Sequence, residues 1–167
     1  MSRVSPHADE VIVEQLSSAD VVALGQCLAL DVTVFPWPSI RPYAAAQGVQ
    51  PVWIVRNRRD GAVAGFVAAT VVGDLLEIAG IAVAPEKRCR GLGRALIRAA
   101  VEGARTRSCR AVTLQVSTAN RAALALYTAE GFGRVKKLPG FYRRLFGDGG
   151  DAWVMVLPLG TTVQGPH

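Results

Sequence analysis

A mostly apolar run, Leu75 to Val83, leads through Pro85 into Arg88-Cys89-Arg90-Gly91-Leu92-Gly93-Arg94, and a helix-like run, Ala95 to Arg107, follows at once. A strand that empties through a glycine-hinged turn into a helix fixes the local fold more tightly than any other stretch. Without a Cβ, Gly91 and Gly93 let the backbone turn sharply and approach a ligand. The first amides of a helix lack intrahelical acceptors, and the helix dipole adds partial positive charge there, so this end attracts phosphate. Arg88, Arg90 and Arg94 each oppose that dipole by roughly 0.3–1 kcal/mol, a conflict that a bound polyanion removes. The stretch therefore reads as an anion cradle; the plainer alternative is a solvated basic turn. A Walker loop is excluded because Arg94-Ala95 stands where Lys-Ser/Thr is needed, and a Rossmann fingerprint because Leu96 stands where a small residue is needed.

Around this unit the pattern predicts a short strand over Glu10 to Leu16 and a helix over Ser18 to Leu30 capped by serine. Pro36, Pro38 and Pro42 then impose a loop around Phe35 and Trp37. Pro51 to Arg56 and Val63 to Val72 read as strands joined through Asp60-Gly61, and Gly73-Asp74 turns the chain into the third strand of a meander. Ala111 to Ser117 reads as a strand and Thr118 to Glu130 as a helix capped by Thr118 or Asn120 and closed by Gly131. Phe132 to Leu138 and Ala152 to Leu157 read as strands flanking a long loop, Pro139 to Gly150. The fold class expected is α/β (α+β): a mixed, mostly antiparallel sheet of about seven strands flanked by helices, with a right-handed crossover from Leu75 to Ser117.

With 167 residues, the chain suits one domain that buries roughly 70% of its extended surface. Residues 10–160 are expected to form that domain, with flexible ends at 1–9 and 161–167. Apolar residues make up 50% of the sequence, yet no run reaches the ~18 positions that span a bilayer. Met1 to Asp9 lacks a signal-peptide core. A cytoplasmic protein with no membrane association is expected. Cys27, Cys89 and Cys109 are three, without Cys-x-x-Cys spacing, so neither a disulfide framework nor a metal site is expected. His7 and His167 lie near the ends and leave proton transfer to other groups. The net charge of +6 is spread over several segments without the aromatic or single-helix pattern of a nucleic-acid reader, and no nucleic-acid partner is expected.

Ile81-Ala82-Val83-Ala84-Pro85 leading into Arg88-x-x-Gly91-x-Gly93, followed by Asn120-x-x-Ala123-x-x-Leu126-Tyr127-x-x-x-Gly131-Phe132, resembles the GNAT N-acetyltransferase superfamily. Phe35-Pro36-x-Pro38, Tyr142 and Asp151-Ala152-x-x-Met155 are similar to its RimI-type branch, which acetylates protein N-termini. The resemblance implies a GNAT fold and acetyl-CoA as co-substrate, with no metal. It implies that Ile81, Ala82 and Val83 meet the pantetheine and acetyl carbonyl through their backbone. By the same likeness Arg88, Cys89, Arg90, Gly91, Leu92, Gly93 and Arg94 carry the diphosphate. Asn120 matches the residue that touches the pantetheine arm, and Tyr127 the general acid beside the thioester sulfur. Asn120 and Tyr127 are seven apart, about 20° from alignment on a helix, so both can face one elongated ligand. Asn120 is also a favoured helix cap, and Tyr127 a common type of core aromatic.

The chemistry is attack of a neutral amine on a thioester, so an ammonium of pKa about 10 must lose a proton. In the RimI-type pattern a glutamate commonly occupies the position of Gln115, and glutamine cannot take a proton. Glu77 is the substitute: it matches the base glutamate of histone-type members and shares a strand face with Leu75, Ala79, Ile81 and Val83. A carboxylate on so apolar a face would have its pKa raised toward neutrality, unless it is a rim group or paired with an arginine; a water relay is the fallback. Cys89 lacks the adjacent base that covalent catalysis uses. Phe35, Trp37, Gln115 and Tyr142, with Phe141 and Arg143, are candidate acceptor walls, while Trp53 and Trp153 read as core. The acceptor expected is a protein N-terminus or peptide, alternatively a small amine, used by a monomer or homodimer. A catalytically silent acyl-CoA-binding module is the reading of another class.

Overall fold

Alternation of apolar and polar residues, broken by Asp-Gly and Gly-Asp turns, decides most of the strands. The structure of the protein, a computed structural model, describes residues 11–160 other than 36 and 148. Both expected flexible ends, with His7 and His167, lie outside the described residues, as does Pro36 of the proline loop. The elements run β1 (Val11–Gln15), α1 (Val21–Val34), α2 (Pro42–Ala46), β2 (Val52–Asn57), β3 (Val63–Val72) and β4 (Leu75–Val83). A 3-10 turn (Pro85–Lys87) precedes α3 (Leu92–Thr106), β5 (Ala111–Ser117), α4 (Arg121–Ala129), β6 (Gly133–Leu138), α5 (Phe141–Phe146) and β7 (Ala152–Pro158). The strands are ordered β1-β2-β3-β4-β5-β7-β6 in one mixed sheet, the class expected.

Four local expectations need correction. The first helix starts at Val21, because Asp20 rather than Ser18 caps it, accepting from the Ala23 amide at 2.9 Å. Pro42 opens the short helix α2 instead of only breaking structure, as suits a residue whose missing N–H is no loss in a first turn. The stretch expected as a long loop holds α5, bracketed by Gly140 and Gly147 in left-handed conformation and tied down where Asp151 Oδ1 accepts from the Gly140 amide at 2.8 Å. Trp153 is only half-buried, with the Arg134 guanidinium 5.3 Å from its ring centroid, whereas Trp53 is core.

The chain divides into two compact units. One holds the described residues up to Thr70 and Ile78–Ala100. Its β1-β2 pair is antiparallel and runs from Val11↔Asn57 to Gln15↔Trp53, and β2 pairs β3 from Val52↔Ala68. Ile40, Ile54, Phe66 and Ala82 are buried around Ala23 and Cys27 of α1. Burial raises the Cys27 thiol to about 12, which leaves it an inert core group. Arg56 pins this unit's entry, 2.7 Å from Glu14 and 2.6 Å from Asp20. At Gly65 the strands come so close that a Cβ would sit 2.7 Å from the Ala82 carbonyl oxygen and 3.3 Å from Leu96 Cδ1.

The other unit holds Val71–Glu77 and residues from Val101 onward. Antiparallel β5 and β7 pair from Ala111↔Pro158 to Ser117↔Ala152, and β6 adds to β7 with a register shift between Arg134 and Lys136. Every residue of β6 up to Lys137 is exposed, and its charges are all positive: Arg134, Lys136 and Lys137.

Two outcomes are expected. Gly65→Ala forces a methyl against backbone and should cost about 1–3 kcal/mol, measured as a lower urea midpoint at unchanged slope. Asp20 is held below the usual carboxylate range, first by its hydrogen bond from Arg56 and then by the Ala23 amide. A depressed carboxylate stabilises the fold above its unfolded pKa of ~3.9 and loses that effect as pH falls through its folded value. The melting-temperature gap between the natural chain and Asp20→Asn should therefore be full above pH ~5 and close as the solution becomes more acidic.

Candidate active site

Strand β4 delivers the chain to the cradle with its rows sorted by burial. Leu76, Ile78, Gly80 and Ala82 are buried, while Leu75, Glu77, Ile81 and Val83 are half-buried and Ala79 is exposed. The period of two therefore places Glu77, half-buried, on the row expected, which is the more open of the two.

Beyond β4 the chain makes its 3-10 turn and then the cradle. Cys89 has φ 62° and Gly91 φ 77°, both left-handed. For cysteine that conformation is uncommon and costs about 1–2 kcal/mol. Backbone that alternates in hand, left-handed here at 89 and 91 but not at 90, turns neighbouring N–H groups toward one concavity, as in an anion nest. Helix α3 begins at Leu92, earlier than the run from Ala95 suggests, so Leu92, Gly93 and Arg94 form its first turn. Its first main-chain bond runs from the Ala95 amide to the Gly91 carbonyl at 3.1 Å. The amides ahead of it have no acceptor one turn back within the helix. A Cβ on Gly91 would meet nothing within 4 Å. The space over this residue is open, and glycine is favoured there by its positive φ. Arg88 and Arg90 are exposed, and the Arg88 side chain turns back so that its Nε donates to the Val83 carbonyl at 3.2 Å.

In the same unit, Phe35 closes α1, its amide donating to the Asp31 carbonyl at 3.0 Å, and its side chain packs on the core. Trp37 is half-buried. A polar network that sequence reasoning missed lies between α1 and α2. Asp31 is 1% exposed and accepts from Ser39 N (2.9 Å), Ser39 Oγ (2.6 Å) and Ile40 N (2.9 Å). Buried Gln50 accepts from Arg41 N at 2.7 Å and donates to the Ser39 carbonyl at 3.0 Å.

In the second unit, Asn120 caps α4, its Oδ1 accepting from the Ala123 amide at 3.1 Å; its side-chain oxygen thus has the capping role. Tyr127 is 5% exposed on α4, its ring 5.8 Å from that of Phe132. Burial, and secondarily the Tyr142 phenol, push the Tyr127 hydroxyl up to about 12. Tyr142, half-buried on α5, is raised by burial and packs edge-on against Phe141 at 5.1 Å. Gln115 stands on the more open row of β5 with Thr113 and Ser117, opposite Val154 of β7. Cys27, Cys89 and Cys109 are all free thiols. Among the described residues no three His, Cys, Asp or Glu side chains group as a metal site, and no helix is long and apolar enough to cross a membrane.

Residues 26–132 match the profile of the Acetyltransferase (GNAT) family. The chain is 33% identical over 125 residues to the ribosomal protein bS18-alanine N-acetyltransferase of Escherichia coli strain K12, covering 75% of this chain and 82% of that protein. It is 32% identical over 158 residues to the N-alpha-acetyltransferase RimI of Mycobacterium tuberculosis, covering 88% and 92%. In fold it is similar to Arabidopsis thaliana NAA60 in complex with acetyl-CoA, with a TM-score of 0.76 at 24% identity over 89% of this chain and 98% of that one.

Proposed function

This chain belongs to the GNAT family and is an acetyl-CoA-dependent N-acetyltransferase, and we propose that its acceptor is the amino group of a protein or peptide. The observation that carries the cofactor half of the reading is the left-handed pair Cys89 and Gly91 immediately before the first turn of α3. Such a nest suits a diphosphate. Under this reading the amides of that turn, with Arg90 and Arg94, hold the CoA diphosphate, while Arg88 braces the end of β4. The C-terminal end of β4 offers main-chain groups at Ile81, Ala82 and Val83 to the thioester arm. Asn120, whose Oδ1 is used in capping, presents its amide nitrogen to the pantetheine.

Transfer needs a neutral amine, a donor for the thioester oxyanion and stabilisation of the departing sulfur. A main-chain amide of β4 serves the oxyanion. Tyr127 serves the sulfur, and its displaced pKa defines how. A phenol near 12 does not surrender its proton outright to a thiolate whose conjugate acid has a pKa of about 8.5. It acts as a fixed hydrogen-bond donor, lowering the barrier as negative charge gathers on sulfur, and the proton that finally neutralises the thiolate comes from the nitrogen being acetylated. Glu77, half-exposed at the start of β4, accepts the proton of the incoming ammonium, directly or through one water. The acceptor proposal draws on the two relatives that acetylate protein amino groups and on the aromatic positions Phe35, Trp37 and Tyr142. Gln115, where the branch commonly has glutamate, favours the second reading, a small amine acceptor.

A panel of peptides and small amines, followed by CoA release, separates the two: the peptide reading expects saturation by peptides, and saturation by a small amine alone overturns it. Tyr127→Phe should lower kcat about 10²–10³-fold, as loss of a preorganised donor does, while calorimetry shows acetyl-CoA affinity almost intact. In the natural enzyme Tyr127 stays protonated below pH ~11, so no basic limb of the pH–rate profile belongs to it. Glu77→Gln should lower the rate most near neutral pH and least where the amine is already deprotonated; a deficit equal at every pH would move the base elsewhere.

A further inference from the structure

One residue fastens both ends of the stretch that carries Phe35 and Trp37. The main-chain carbonyl of Asp31 accepts from the Phe35 amide at 3.0 Å, and its carboxylate accepts from Ser39 N, Ser39 Oγ and Ile40 N at 2.9, 2.6 and 2.9 Å. A carboxylate this deeply buried is costly unless its lone pairs are met, and here the donors that meet it all come from one loop. Gln50 adds a second brace to the Ser39 carbonyl and the Arg41 amide. Ser39, Ile40 and Arg41 are therefore tied to the end of α1 and to Gln50.

The segment also has a seat. A Cβ at Gly80 of β4 would lie 2.4 Å from Ser39 Cβ, 2.5 Å from Ser39 Oγ and 3.3 Å from Phe35 Cε2. Gly80 is not among the residues of positive φ, so its backbone is one that any residue adopts. What requires glycine at this position is Ser39 itself. Ser39 is buried and the cradle begins only at Arg88, beyond the end of the strand, so the contact at Gly80 is no part of the cradle itself.

We propose that Asp31, Ser39 and Gly80 form a positioning clamp that seats Phe35 and the Trp37–Ser39 arch on β4 and thereby sets the affinity for the acceptor, leaving acetyl-CoA affinity alone. The proposal rests on the reading of Phe35 and Trp37 as acceptor walls. None of the three residues is a catalytic residue; they act by fixing the wall in place before the acceptor arrives, which removes an ordering cost from binding. A wall lifted by a methyl at position 80 would have to be pressed back by each acceptor, and the loss would appear in KM.

The test is a steric exchange. Gly80→Ala should raise acceptor KM about tenfold with kcat little changed, and acetyl-CoA affinity by calorimetry should stay within about twofold. Adding Ser39→Gly to Gly80→Ala removes both Ser39 atoms that the new methyl meets, so the double variant should return to the KM of Ser39→Gly alone, below that of Gly80→Ala, a coupling that independent effects do not produce. A double variant no better than Gly80→Ala, or an acceptor KM that Gly80→Ala leaves unchanged, overturns the clamp. So does an equal loss of acetyl-CoA affinity, which would mark damage to the strand. Should Gly80→Ala not fold, Ser39→Ala carries the test by the same KM split, since it removes one donor to Asp31 without adding bulk. Hydrogen exchange at residues 35–41, faster in Ser39→Ala than in the natural chain, reads the arch without any acceptor. If exchange there stays slow, the clamp fails; if exchange quickens while acceptor KM does not move, the clamp is structural and it is the wall reading that fails.

Discussion

A carboxylate on a residue 1% exposed in the last turn of an apolar helix must be surrounded by donors, and the donors that Asp31 finds are the amides and hydroxyl of the segment that follows its own helix. That requirement folds the segment back on α1 and presses Ser39 against β4, where only a residue lacking a Cβ leaves room. Gly65 repeats the logic on the other side of the strand, admitting the Ala82 carbonyl and Leu96 at distances no side chain would allow. The stretch of β4 that feeds the cradle is thus gripped by close contact at two glycines, and the turn that follows starts from a fixed point.

Much of this architecture could be read from the residues, and the reason is local. Strands β3, β4 and β5 keep the bounds read for them because they are bounded by strong punctuation: Asp60 accepts from the Ala62 amide at 2.9 Å within its turn, and Gly73 adopts φ 59°. The sharp turn from β4 into α3 was legible because glycine, arginine and a helix start coincide. Asp31 was not, since a single acid in a helical run looks like a solvent-facing residue until its partners eight and nine positions on are known. Gly80 reads as a mere weakness in a strand, because its reason is a contact with a segment far away in sequence. The helix α5, six residues long, is too short to show a period, and its glycine brackets look like loop composition.

The proposed mechanism asks opposite things of two groups, and their surroundings differ accordingly. Tyr127 is enclosed, with its proton held to about 12, which suits a group that must polarise without ionising. Glu77 is half-buried on the more open row of its strand, where the proposed base could pass a proton taken from an amine to solvent. Under the proposed reading Asn120 joins structure to recognition: its oxygen caps α4, which orients the same amide's nitrogen. The absence of a carboxylate at Gln115 then matters less for the fold than for the route by which the proton leaves.

The cationic β6 has a consequence of its own. It is the outermost strand beside β7, and its free edge carries Arg134, Lys136 and Lys137 with Val135 61% exposed. Two such edges approaching one another would bring like charges face to face before any main-chain bonds could form, so the strand guards itself against runaway self-association. That protection is electrostatic and therefore conditional: concentrated salt or a polyanion that masks the lysines would strip it away and leave a bare valine-bearing ribbon open to a neighbouring copy.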